Sequence, residues 1–168
     1  FYSEGRASWE HLETLIYDLL SSPNTPVCYI TSGKDDPGLQ IEHANYAAFL
    51  TDEGWVRNWL FENIDTDVMV MTMPDLDLYQ VKRSHHPVHY IYAQHSLVSL
   101  HMAYRTGAFD HFDTILCSGP YHMREIKAME EKYNLSKKKL IEHGYSRLFN
   151  IIDEGHNREG LDTDKTSP

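Results

Sequence analysis

Val88-His89-Tyr90-Ile91-Tyr92-Ala93-Gln94-His95-Ser96 decides the fold. An apolar run rich in aromatic and branched residues stops abruptly on small and polar ones, which is how a buried strand ends. Leu97, Leu100 and Tyr104 then recur at helical spacing, and Gly107 stands where a C′ glycine would close that helix. Asp113 introduces a second strand, Thr114-Ile115-Leu116-Cys117, which stops at Ser118-Gly119. Pro120 takes the first position of another helix, with Met123, Ile126, Met129 and Tyr133 as its expected buried stripe. A strand, a helix, a strand and a helix in succession imply parallel strands with helical crossovers.

The same grammar extends outward. Lys137-Lys138-Lys139 precedes a last strand, Leu140-Ile141, ending at His143-Gly144-Tyr145. Upstream, Val68-Met69-Val70-Met71 reads as a buried strand, and residues 82–87 as a polar connection. Residues 39–66 are less legible; Trp55, Trp59 and Leu60 line one face of a short helix there. Val27-Cys28-Tyr29-Ile30-Thr31 is a strand closed by Ser32-Gly33. Before it, Ser8 is the expected N-cap of a helix carrying Trp9, Leu12, Leu15, Ile16, Leu19 and Leu20, and residues 1–5 are the end of a strand. The expected fold is α/β: a Rossmann-like open parallel sheet with helices on both faces. One domain is expected over residues 1–154, with residues 155–168 a polar tail or linker.

Composition agrees with one globular domain. The 168 residues are 41% hydrophobic and 24% charged, so the chain can bury a full core. No apolar run approaches the roughly 20 residues of a membrane-spanning helix. A net charge of −10 argues against a nucleic-acid partner, whose phosphates call for a basic surface. Cys28 and Cys117 both sit in apolar runs and are expected to be buried, reduced thiols. The chain opens on Phe1 rather than Met and reads as a fragment of a longer protein.

In open parallel sheets, ligands bind outside the carboxyl ends of the strands. Here those ends are Ser3-Glu4-Gly5, Ser32-Gly33, Gln94-His95-Ser96, Ser118-Gly119-Pro120 and His143-Gly144-Tyr145-Ser146-Arg147. Small residues let a ligand approach the backbone, and helix N-termini offer free N–H groups to anions. The plain alternative is that these are the turns any α/β protein needs. His95 is the foremost candidate. A neutral imidazole between a strand and a helix can take a proton from a hydroxyl nucleophile. His85, His86 and His89 crowd around Pro87, but a solvated loop explains them better than a metal, and no metal or cofactor is expected. His11 and His101 fall within helices, on their surfaces or core margins. CxxC, GxGxxG, P-loop and GxSxG patterns are absent. Charge is uneven: residues 30–80 hold ten acids against Lys34 and Arg57, and residues 121–148 hold seven bases against four acids. The basic stretch could face an anionic membrane or a polyanion, though a solvated helix face is the simpler reading.

Residues 90–148 resemble the CDP-glycerol glycerophosphotransferase family, the teichoic-acid primases and polymerases. Four elements carry the resemblance in order: Tyr92-Ala93-Gln94-His95-Ser96, Tyr104-Arg105-Thr106-Gly107, Phe112-Asp113-Thr114-Ile115-Leu116-Cys117-Ser118 and His143-Gly144-Tyr145-Ser146-Arg147-Leu148. Ser96 stands where the family usually has Gly, Arg105 near its usual Lys, and Ser146 in place of the Pro before Arg147. The resemblance implies half of a GT-B enzyme, the acceptor-side domain, with His95 as catalytic base. Ser3, Glu4, Gly5, Ser96, Ser118, Gly119, Tyr145 and Arg147 are then expected around the substrate. It also implies a CDP-glycerol or related CDP-polyol donor held mainly by a C-terminal domain, and a polymer or lipid-linked acceptor. The enzyme would work in the cytoplasm, peripheral to the inner membrane face, and the fragment alone would be inactive. Two alternatives stay open: a GT-B sugar-nucleotide transferase or UDP-sugar 2-epimerase-like domain, and a non-catalytic flavodoxin-like binding module.

Overall fold

The computed structural model describes residues 1–79, 81–148 and 151–152. The expected tail at 155–168 lies outside them. Seven strands form one sheet: β1 (Tyr2–Ser3), β2 (Val27–Thr31), β3 (Tyr46–Leu50), β4 (Val68–Met71), β5 (His89–Ala93), β6 (Thr114–Cys117) and β7 (Lys139–Glu142). The order across the sheet is β3-β2-β1-β4-β5-β6-β7, and every pairing is parallel. This is the Rossmann-like α/β fold expected. The first six strands follow the doubly wound order 3-2-1-4-5-6, not the flavodoxin-like 2-1-3-4-5. The flavodoxin-like alternative is therefore wrong in topology.

Register explains the core. Phe49, Ile30, Tyr2, Met71, Tyr92, Ile115 and Leu140 pair in one row across all seven strands, so their side chains share a face. That face packs against Phe61 of α2 (Trp55–Asn63), Leu100 of α3 (Leu100–Ala103) and Ile126 of α4 (Pro120–Tyr133). The neighbouring positions Val70 and Ala93 turn the other way, onto Trp9, Leu12, Ile16 and Leu20 of α1 (Arg6–Leu20). Both faces are thus covered, which is why the central strands read as continuous apolar runs. The row ends in solvent at the β3 edge, where Phe49 is 56% exposed.

Several local expectations change. α1 begins at Arg6 with Gly5 as N-cap, so Ser8 lies inside the helix and does not cap it. α3 spans only Leu100–Ala103, and Gly107, at φ 89°, belongs to a later turn rather than to C′. On α4 the buried side chains are His122, Ile126 and Glu130, while Tyr133 is exposed. Residues 39–66 contain an unforeseen strand, β3. Cys117 is buried as expected, but Cys28 is exposed, because its side chain points opposite to Tyr29 on a strand near the edge. No helix among the described residues is long and apolar enough to cross a membrane.

Two polar devices set the loops around the strand ends. Asp36 is buried and accepts from Ser3 Oγ (2.7 Å), Thr31 Oγ1 (2.6 Å), Tyr29 Oη (2.9 Å) and the Gly38 N–H (2.9 Å). This pins the segment after β2 to β1. Among its described residues the long β4–β5 connection has no helix. Arg83 anchors it by donating to the carbonyls of His111 and Val88 and to Asp113, with its guanidinium over the Tyr90 ring.

Candidate functional site

The sheet order brings the carboxyl ends of β1, β2, β4 and β5 together. A cavity of about 560 Å³ opens there, lined by Glu4, Gly5, Arg6, Ser8, His11, Gly33, Asp35, Thr72 and His95, among others. It sits where the chain winds in opposite directions from β1 and β4, the position at which such sheets bind ligands. Gly5 and Gly33 make this opening possible. Gly5 adopts φ 145°, and a Cβ on Gly33 would fall 2.5 Å from Gly5 Cα, so no side chain fits between the two turns. The first turn of α1 borders the cavity. No side chain caps it, which leaves backbone N–H groups there for a ligand.

His95 lines this cavity, half-buried, just past β5. Its Nδ1 lies 3.0 Å from Tyr92 Oη and its Nε2 3.4 Å from Tyr104 Oη; Tyr92 Oη donates to Tyr104 Oη at 3.4 Å. These contacts close consistently in one sense. Nδ1–H donates to Tyr92, and Nε2 is the acceptor, taking a long 3.4 Å bond from Tyr104. Burial lowers the His95 pKa, opposed by the Thr72 backbone carbonyl, which favours the protonated ring by accepting from it. The ring is therefore held neutral, as a proton acceptor must be. Tyr145 Oη donates to the His95 carbonyl at 3.3 Å and fixes the loop from behind.

The remaining expected residues divide. Glu4 and Gly5 line the cavity with His95. Burial raises the Glu4 carboxyl pKa, partly offset by Arg57. Tyr145 joins the same cluster, and Arg147 stands behind it, 3.5 Å from Glu10. Ser3 is fully buried, and its hydroxyl serves Asp36 instead of the cavity. Ser96 is bound locally by the Gln94 side chain. Ser118 Oγ is buried without a partner, and Gly119 is the buried N-cap of α4; neither lines this cavity. His89 opens β5 instead of lying in a solvated loop, and it bonds Thr114 Oγ1 at 2.8 Å.

Sequence reading missed His11. Its ring stacks on Tyr145 (centroids 5.6 Å apart, planes at 29°) and lies 5.8 Å from the His95 ring. Burial lowers its pKa to about 4, helped by His95 and Arg147 and opposed by Glu10. The available signal was positional. Ser8 and His11 sit three residues apart on the helix that follows β1, and that spacing puts both on the flank facing the strand ends. A second cavity, of about 550 Å³, lies between α3 and α4 against Leu100, Tyr104, Arg124, Met129 and Lys132, away from the strand ends.

The fold and the crevice define a Rossmann-like α/β protein with a histidine-bearing pocket at its switch point. A scan of protein-family models, a search of curated proteins and a search of solved structures each return no match to the chain.

Proposed function

We propose that this chain is the acceptor-side domain of a CDP-polyol phosphotransferase, one half of a GT-B-type enzyme of the CDP-glycerol glycerophosphotransferase kind. One observation supports this reading above the others: a neutral imidazole, His95, faces a cavity beside the uncapped N-terminus of a 15-residue helix. The carboxyls of Glu4 and Asp35 on the same wall suit hydroxyl groups better than a second phosphate. The cavity then takes the hydroxyl end of a growing polymer or lipid-linked acceptor.

The acceptor oxygen attacks the phosphorus of the polyol phosphate in the CDP-polyol. The bond from that phosphorus to the bridging oxygen breaks, and CMP leaves with that oxygen. The hydroxyl proton passes to His95 Nε2. Because a hydroxyl is a poor nucleophile at neutral pH, a positioned base contributes about 10²–10⁴-fold. The donor is held mainly by a second domain, so residues 1–168 alone fold without turning over.

The test is His95→Gln in a protein carrying both domains, assayed for CMP release from CDP-glycerol. The expected result is a fall in kcat of about 10²–10⁴-fold with KM for the donor little changed. Unchanged kcat would overturn the proposal, as would turnover by residues 1–168 alone. Preference for a UDP-sugar over CDP-glycerol would favour the sugar-nucleotide alternative.

A further inference from the structure

His11 lines the cavity and has no part in the proposed reaction. Nδ1 is sealed from solvent and meets no hydrogen-bond partner, although the ring lines the cavity. With Nδ1 sealed, Nε2 is the ring nitrogen left to meet a ligand. A buried N–H without a partner costs more than a buried lone pair. The neutral ring accordingly keeps its proton on Nε2, pointing at the ligand space. Tyr145 holds this orientation by stacking on one side of the ring, and the Glu10–Arg147 pair borders it outside. His95 stands 5.8 Å away with the opposite character, an Nε2 lone pair.

A donor and an acceptor thus share one cavity wall, with their rings too far apart for a strong bond between them. A ligand with two neighbouring hydroxyls can accept from one ring and donate to the other, each bond about 2.8 Å long. We propose that His11 is a second substrate-contacting residue: it donates to the neighbouring hydroxyl of a polyol whose reacting hydroxyl rests on His95, so the crevice selects an acceptor that ends in a vicinal diol. This rests on the polyol reading above and adds to it a specificity that His95 alone would not supply. A site built to bond the second hydroxyl rejects a ligand lacking it, since its own polar group is then left unpaired.

The test uses residues 1–168 and two probes of one shape, glycerol 3-phosphate and n-propyl phosphate, which lacks the diol. Binding is followed by NMR through the imidazole resonances of His11 and His95. The wild type is expected to respond at both rings and to bind glycerol 3-phosphate roughly two- to tenfold more tightly. His11→Phe keeps the stack on Tyr145 and is expected to erase that preference; His11→Gln, which still donates, is expected to keep most of it. Preference retained in His11→Phe, or in the Gln and Phe variants alike, overturns the role of His11. A response at His95 in the same spectra leaves the polyol site standing in that case. Silence of both rings towards both probes in the folded wild type overturns the polyol site and this inference together.

Discussion

At the scale of the residue, His11 and His95 differ from an ordinary surface histidine in one respect: their charged forms are disfavoured by burial. The consequence for stability has a definite sign. An unfolded chain protonates His11 near pH 6.5, whereas the folded chain resists until about pH 4. Between those values the unfolded state holds more protons, so stability falls as the pH drops through this window and levels off below it. His95 and His143, whose pKa values burial also lowers, act in the same direction. Urea midpoints measured from pH 7 to pH 4 should decline, and His11→Phe should make the decline shallower. An identical decline in the variant would contradict the burial of His11. Ser3 illustrates how far a residue's neighbours decide its part. A serine at a strand end looks available to a ligand, yet a carboxyl 33 positions away takes its hydroxyl.

At the scale of the element, the crevice depends on the turns after β1 and β2 lying in contact. Gly33→Ala places a methyl group against the Gly5 backbone, which cannot swing aside as a side chain would. The expected cost is about 1–3 kcal/mol, read as a lower Tm, together with a wider separation of the two turns. An unchanged Tm would mean that the turns are not in contact. Elements also show where sequence reading succeeds. β4, β5 and β6 are legible because burial on both faces leaves only apolar residues to choose from. β3 was not, because it is an edge strand: Tyr46-Ala47-Ala48-Phe49-Leu50 has no fully buried residue and carries two alanines, which favour no strand. α3 was overread, since Leu97 and Tyr104 share a helical period with Leu100 yet lie outside its single turn.

At the scale of the whole molecule, the seven-stranded order sets a gradient of stability from the middle outwards. β4 and β5 pair on both sides and sit under both core layers, whereas β3 and β7 each have one neighbour. Amide exchange should be slowest in β4 and β5 and fastest among the strands in β3 and β7, and the reverse ranking would contradict the strand order. The candidate site follows the same logic of legibility. His95, Glu4, Gly5 and Tyr145 were readable because each stands at a strand end, and strand ends announce themselves locally. His11 was not, because its value comes from a ring supplied by a loop 84 positions along the chain. Alternating strand and helix patterns by themselves determined that the sheet is parallel and that its ligand edge is made of small and polar residues, since both follow from what each short segment must bury. Only the tertiary structure decided that β1 lies between β2 and β4, and hence that His11 and His95 face one cavity. Strand order depends on which way each crossover returns to the sheet, and that choice is made by contacts between distant segments, which no local period records.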